Sequence, residues 1–130
     1  MPIRYERDDA HRRVVVIVQG TIEADDTFEV IERQRRGATW SYGVLYDLRL
    51  MTGRLTFAEL RPILGGSSQR RAVARGPIAI LATDPPVYDT ACSYAALGRS
   101  TLTIEVFRDL DEAEAWLTTH ARKASEQGGA

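Results

Sequence analysis

The chain has 130 residues, with 17 Lys and Arg against 18 Asp and Glu and 44% hydrophobic residues, the size and balance of one domain that builds its own core without metal or disulfide staples. The near-cancelling charge excludes the strong positive field of a nucleic-acid or anionic-membrane binder. A single cysteine, Cys92, with His11 and His120 as the only histidines, excludes a disulfide framework and a zinc cluster.

The opening segment MPIRYERDDAHRR has no apolar core of signal-peptide length, and no run approaches the roughly 20 apolar residues of a membrane span. A cytoplasmic protein without metal, cofactor or membrane insertion is expected. Ile3 to Glu6 alternates and predicts an edge strand, reversing through DDAHRR to pair antiparallel with Arg13 to Gln19. RVVVIVQ is a continuous β-branched run, the pattern of a central strand covered on both faces. A helix follows from about Ala24 to Arg36 and stops at Gly37, with Asp26 and Glu29 as its cap pair and Phe28, Val30 and Ile31 as its apolar stripe. Its acids lead and its arginines trail, as the helix dipole prefers.

Tyr42 to Leu48 predicts the next strand, with Asp47 near its carboxyl end. Thr56 and Glu59 form a capping box, but Pro62, Gly65 and Gly66 interrupt the pattern, so a two-part helix is expected, resuming at Ser67 or Ser68 and ending by Gly76. Pro77 to Thr83 is a third core strand. Asp84-Pro85-Pro86 then reads as a stiff turn before a helix from Val87 to Leu97, ended by Gly98. Thr101 to Phe107 alternates into a last strand. Asp109 to His120 closes the domain as a helix capped by Asp109, with Leu110, Ala113, Trp116 and Leu117 on one face. Residues 1–120 thus form a single domain, and 121–130 lack anything to bury and are expected to fray. Strands alternating with crossovers of helical length imply an α/β fold with a mostly parallel sheet.

A strand ending in Val106-Phe107, then Asp109 and the helix DEAEAWL, after RVVVIVQGTI, GVLYDLR and GPIAILAT, resembles the SpoIIAA-like proteins with the STAS fold of anti-sigma factor antagonists. The resemblance implies a four- to five-stranded, mostly parallel or mixed sheet with about four helices mainly on one face. It also implies a non-enzymatic regulatory or protein-interaction module. Regulatory STAS domains carry a phosphorylated serine in an Asp-Ser-Ser-Gly-like segment after the third strand. Here that region reads DLRLMTGRLTFAEL and offers only Thr52 and Thr56.

The candidate residues each have a bland reading beside the functional one. Thr52 and Thr56 are phosphorylation candidates, where Thr56 also suits an N-cap and Gly53 a turn. Gly65, Gly66, Ser67, Arg70 and Arg71 resemble an anion cradle, although a helix break explains the same glycines and serine. Asp47 lies where ligands of open α/β sheets bind, and also suits a cap on the following loop. Tyr88, with Tyr94, Trp40 and Trp116, lines either a pocket or the core. Arg33, Arg35, Arg36, Arg70, Arg71 and Arg75 read as solvated helix faces. Hydrolase chemistry at Cys92 or Ser93 needs a base within reach, and both histidines are distant in sequence. The expected partner is therefore a protein, with a small apolar or anionic, lipid-like ligand as the second reading and a homodimer compatible with either.

Overall fold

The computed structural model describes residues 3–21, 23–52 and 75–128. Its sheet begins with β1 (Ile3–Asp8) and β2 (Arg13–Gly20), antiparallel and joined by a turn in which Arg12 takes a φ of 50°. After α1 (Ala24–Arg36), β3 (Gly43–Met51) runs parallel to β2. β4 (Ile78–Leu81) lies parallel to β3. α2 (Pro85–Gly98) leads to β5 (Ile104–Phe107), parallel to β4, and α3 (Leu110–Gly128) follows. The sheet order is β1-β2-β3-β4-β5, so each strand lies beside its predecessor in the chain. The fold is the mixed α/β sheet expected. The two-part helix expected between Thr56 and Gly76 falls largely on residues 53–74, outside the described residues.

That order dictates where the helices lie. Right-handed crossovers between neighbouring parallel strands all return on the same side of a sheet, and α1 and α2 are such crossover helices. Val30 of α1 and Val87 of α2 pack with Val14, Val16 and Val18 of β2 and Val44 of β3. Ala91 and Ala95 of α2 pack with Ile78 and Ile80 of β4 and Ile104 of β5. The helix after the last strand is under no such constraint. α3 covers the opposite face, seating Ala113 and Leu117 on Leu45, Ala79 and Leu81.

Several local expectations are corrected. β2 is buried on one face only: Val14, Val16 and Val18 are in the core, while Val15 and Ile17 are half-buried because α3 lies over β3, β4 and β5. The strand buried on both faces is β4, whose every residue is inside. The cap of α1 is Glu23, and Asp26 works from inside the first turn, its Oδ2 accepting from the Glu23 N–H at 2.9 Å. Phe28 is 36% exposed, so Val30 and Ile31 carry the apolar stripe. The helix does stop at Gly37, but the left-handed residue is Ala38 (φ 58°), with the Thr39 N–H donating to Gln34 O as in a Schellman turn. Pro85 and Pro86 are not a separate turn: they begin α2, where a missing N–H costs nothing. β5 starts at Ile104 because residues 99–102 wrap the end of α2, Leu102 N–H donating to Gly98 O at 2.8 Å.

β3 runs past the expected Leu48 to Met51 through a bulge. Ile17 pairs with Asp47 but Gln19 pairs with Leu50, so β3 gains one residue over β2 there. Side-chain alternation shifts across the bulge. Met51 joins the α1 side of the core, and Leu50 is left 57% exposed. Asp109 caps α3 as expected, its Oδ1 accepting from the Asp111 N–H at 3.0 Å.

Candidate functional site

The carboxyl ends of β2 and β3 form the rim where a parallel sheet usually presents ligand groups. Asp47, on the α3 face of β3, is already engaged. Its Oδ1 accepts from Arg49 N at 3.1 Å and Nε at 3.0 Å, and its Oδ2 accepts from Arg49 Nη2 at 2.8 Å. This bidentate grip from Arg49 holds the Asp47 carboxyl below the usual carboxylate range, against the opposing effect of partial burial. Thr52 is exposed just beyond β3, with its N–H donating to Gly20 O at 3.0 Å. Gly20 takes a φ of 79° there, a conformation that favours glycine.

Tyr88 belongs to α2 and packs with the α1-side core, so the sheet separates it from Asp47. The Arg108 guanidinium lies 4.0 Å over its ring, and hydrogen bonding with Cys92 is the main cause that raises the Tyr88 phenol. Thr52 and Asp47 therefore share the rim of β3, and Tyr88 is not brought to them. Gly53, Thr56, Gly65, Gly66, Ser67, Arg70 and Arg71 lie outside the described residues.

Among the described residues neither histidine is brought to Cys92 or Ser93. Ser93 Oγ donates to Asp89 O at 3.2 Å within its own helix. His11 is bonded to Asp8 Oδ2 at 2.7 Å in the β1–β2 turn, and His120 Nδ1 lies 3.0 Å from Trp116 O on the far face of the sheet. Among the described residues no group of three or more His, Cys, Asp or Glu side chains is placed to hold a metal. No helix among them is long and apolar enough to cross a membrane.

What the rim does offer is apolar surface. Leu50 and Phe28 are the exposed large hydrophobic residues among those described. Leu50 ends β3 and Phe28 stands one turn into α1, the helix that leaves β2, so the two flank the rim on opposite sides of the sheet.

The opposite, amino end of the parallel strands holds a second constellation. Arg75 precedes Gly76 and β4, and its guanidinium turns inward instead of joining exposed Arg33, Arg35 and Arg36 on a solvated face. It lies 4.5 Å over the Trp40 ring, and Nη2 donates to Gln34 Oε1 at 2.8 Å. Nη1 reaches Trp40 O at 3.5 Å, a marginal bond. The phenols of Tyr46, Tyr94 and Tyr5 stand near the same guanidinium. Burial pulls the Arg75 guanidinium below its ordinary value and pushes the Tyr46 phenol up. The available sequence signal was Gln34, a polar residue three and four positions beyond Ile31 and Val30 on the inward face of α1. Gln34 is fully buried.

Compared with known proteins, the chain matches no protein-family model and no curated protein. Among solved structures it is similar to an uncharacterised protein of the DUF3478 family with a SpoIIAA-like fold from Shewanella loihica PV-4. The two are 15% identical, with 88% of this chain and 91% of that chain covered and a TM-score of 0.59. The fold is therefore SpoIIAA-like, in agreement with the strand and helix order described above.

Proposed function

We propose that this SpoIIAA-like chain is a non-enzymatic interaction module that binds a protein partner through the carboxyl rim of its sheet. The observation that carries the reading is Leu50, an apolar side chain that the β3 bulge turns outward beside the accessible Thr52. Apolar side chains held outward by a rigid strand are suited to anchor a partner, because little conformational freedom is lost on docking. Phe28 extends the surface on the other side of the rim. Thr52 is the control point of the reading, since a phosphate there adds about two negative charges beside the contact. A cytoplasmic location belongs to the same reading, in keeping with one cysteine and no disulfide.

The test is quantitative recovery of stoichiometric partners from the native cells, followed by titration of the purified pair. Leu50→Arg is expected to keep the thermal midpoint and to weaken the pair by about 2 kcal/mol or more, about 30-fold in Kd. Thr52→Glu should weaken it in the same direction. A partner that binds Leu50→Arg and Phe28→Ser as well as wild type removes the rim from the reading. A protein recovered without any macromolecular partner, but with a non-covalent small-molecule adduct, replaces the reading with a carrier.

A further inference from the structure

β1 is an edge of the sheet. β2 pairs with one side of it, and alternate residues turn their N–H and C=O groups to the other side, where among the described residues no strand meets them. Four of its six residues are exposed, and the Arg4 and Glu6 side chains are 74% and 52% accessible. These two share one face of β1 and an ion pair at 3.2 Å. Tyr5, between them, points to the other face, where its hydroxyl lies 3.1 Å from Thr39 Oγ1 and the Arg33 guanidinium stands 4.5 Å over its ring. The middle of the edge is therefore held rigidly.

The charges along this edge are complementary to themselves. Two identical strands paired antiparallel are related by a twofold axis perpendicular to the sheet, which keeps every side chain on its own face, so one residue must face its own copy. With the axis at Arg4, Glu6, Arg7 or Asp8 a charge meets its like, and at Ile3 only the strand ends overlap. With the axis at Tyr5, Arg4 of each copy stands opposite Glu6 of the other and Ile3 opposite Arg7, so no like charges face each other. Charges protect an edge by repelling a second strand. In this register each is met by its opposite. β5, the other edge, is four residues long, and its one charge, Glu105, is already held by Arg99 at 2.8 Å.

We propose that the chain forms a symmetric homodimer in which β1 pairs antiparallel with β1 of a second copy about Tyr5, joining two five-stranded sheets into one. Backbone hydrogen bonds across the new ladder supply the contact, and the two crossed Arg4–Glu6 pairs set its register. The two copies run in opposite directions, so their carboxyl rims point away from each other, and the dimer does not depend on the partner reading.

The experiment is sedimentation equilibrium on the full chain from micromolar to millimolar concentration. Wild type is expected to pass from monomer to dimer. Arg4→Glu and Glu6→Arg each turn two attractive pairs into two repulsive ones and should weaken the dimer by at least about tenfold, while the double variant Arg4→Glu/Glu6→Arg should return to within about threefold of wild type. Both positions are exposed, so the variants should keep the wild-type thermal midpoint at monomeric concentration. Amide hydrogen exchange provides the second measurement: protection in residues 3–8 should rise with concentration, and protection in residues 104–107 should not. A chain that stays monomeric at millimolar concentration overturns the proposal. So does a dimer that the single reversals leave intact, one that the double variant fails to restore, or one whose added protection falls on β5.

Discussion

Gly76→Ala is a severe test of the packing that joins β3 to β4. A Cβ built at Gly76 falls 2.2 Å from Tyr42 O, 2.5 Å from Ser41 O and 2.7 Å from Ser41 C. All three are backbone atoms, so relief requires the 40–42 segment to move by on the order of 1 Å to reach ordinary carbon–oxygen contact distances. That segment is tied down. Gly76 N–H donates to Trp40 O at 3.0 Å, Tyr42 N–H to Thr39 O at 3.0 Å, and Val44 N–H to Pro77 O at 2.9 Å. Overpacking costs about 1–3 kcal/mol, and an immobile backbone places this case at the upper end. Reduced freedom of the unfolded chain returns about 0.4–1 kcal/mol, since Gly76 does not occupy a left-handed conformation. The net is about 2 kcal/mol. With an unfolding entropy of about 2.1 cal/mol/K per residue over this chain, that lowers the thermal midpoint by about 7 °C. Urea unfolding followed by far-ultraviolet circular dichroism, beside a thermal scan, measures both. Gly20→Ala is the control, because its Cβ meets nothing within 4 Å and only the positive φ of 79° is strained, for about 1 kcal/mol. A Gly76→Ala protein within about 0.5 kcal/mol of wild type, the range of an ordinary surface change, refutes the close approach.

Leu117→Ala, at a side chain 1% exposed between α3 and Leu45, Ala79 and Leu81, should cost about 2–5 kcal/mol in urea unfolding; a loss below about 1 kcal/mol would mean that α3 is not seated there. A pH series tests the Asp9 contact, in which the Tyr42 hydroxyl donates to Asp9 Oδ1 at 2.6 Å and, ahead of Arg7, holds the carboxyl below its ordinary value. A depressed folded-state value contributes stability that is present above the unfolded value of about 3.9 and is lost as pH falls through the folded one. Wild type should therefore exceed Tyr42→Phe in thermal midpoint near neutrality, the gap closing on acidification. A gap independent of pH would assign the effect to packing alone.

The elements that were legible in the sequence are those whose signals are local. The β-branched runs marked the strands, and Asp109 with its following acids marked the start of α3. What escaped depended on residues distant in the chain. Nothing near Leu50 announces a bulge, which exists only in the register between β2 and β3. Phe28 suited the helical period, but its side of α1 reaches past the sheet. Arg75 looked like one more surface arginine beside Arg33, Arg35, Arg36, Arg70 and Arg71, because its inward turn depends on Gln34 and Trp40, about forty positions earlier in a chain whose loops bring them together. Asp47 was expected near the end of its strand but lies in the middle of β3, level with the last residue of β4, and its commitment to Arg49 follows only from the side-chain geometry. Tyr88 was drawn toward the same crevice because sequence spacing does not record on which face of a sheet a helix packs.

The position of α3 has a consequence for how the protein is made. It follows all five strands in the chain and covers a face of the sheet that neither described crossover helix touches. On the ribosome, where chains emerge from the amino end, Leu45, Ala79 and Leu81 appear before the helix that shields them. The nascent domain thus passes through a stage with one face of its sheet closed and the other bare, and it becomes fully water-compatible only when Ala113 and Leu117 are free to dock. A chain truncated between β5 and α3 should yield a sticky, chaperone-bound species, whereas one truncated beyond residue 120 keeps Ala113 and Leu117 and leaves that face covered.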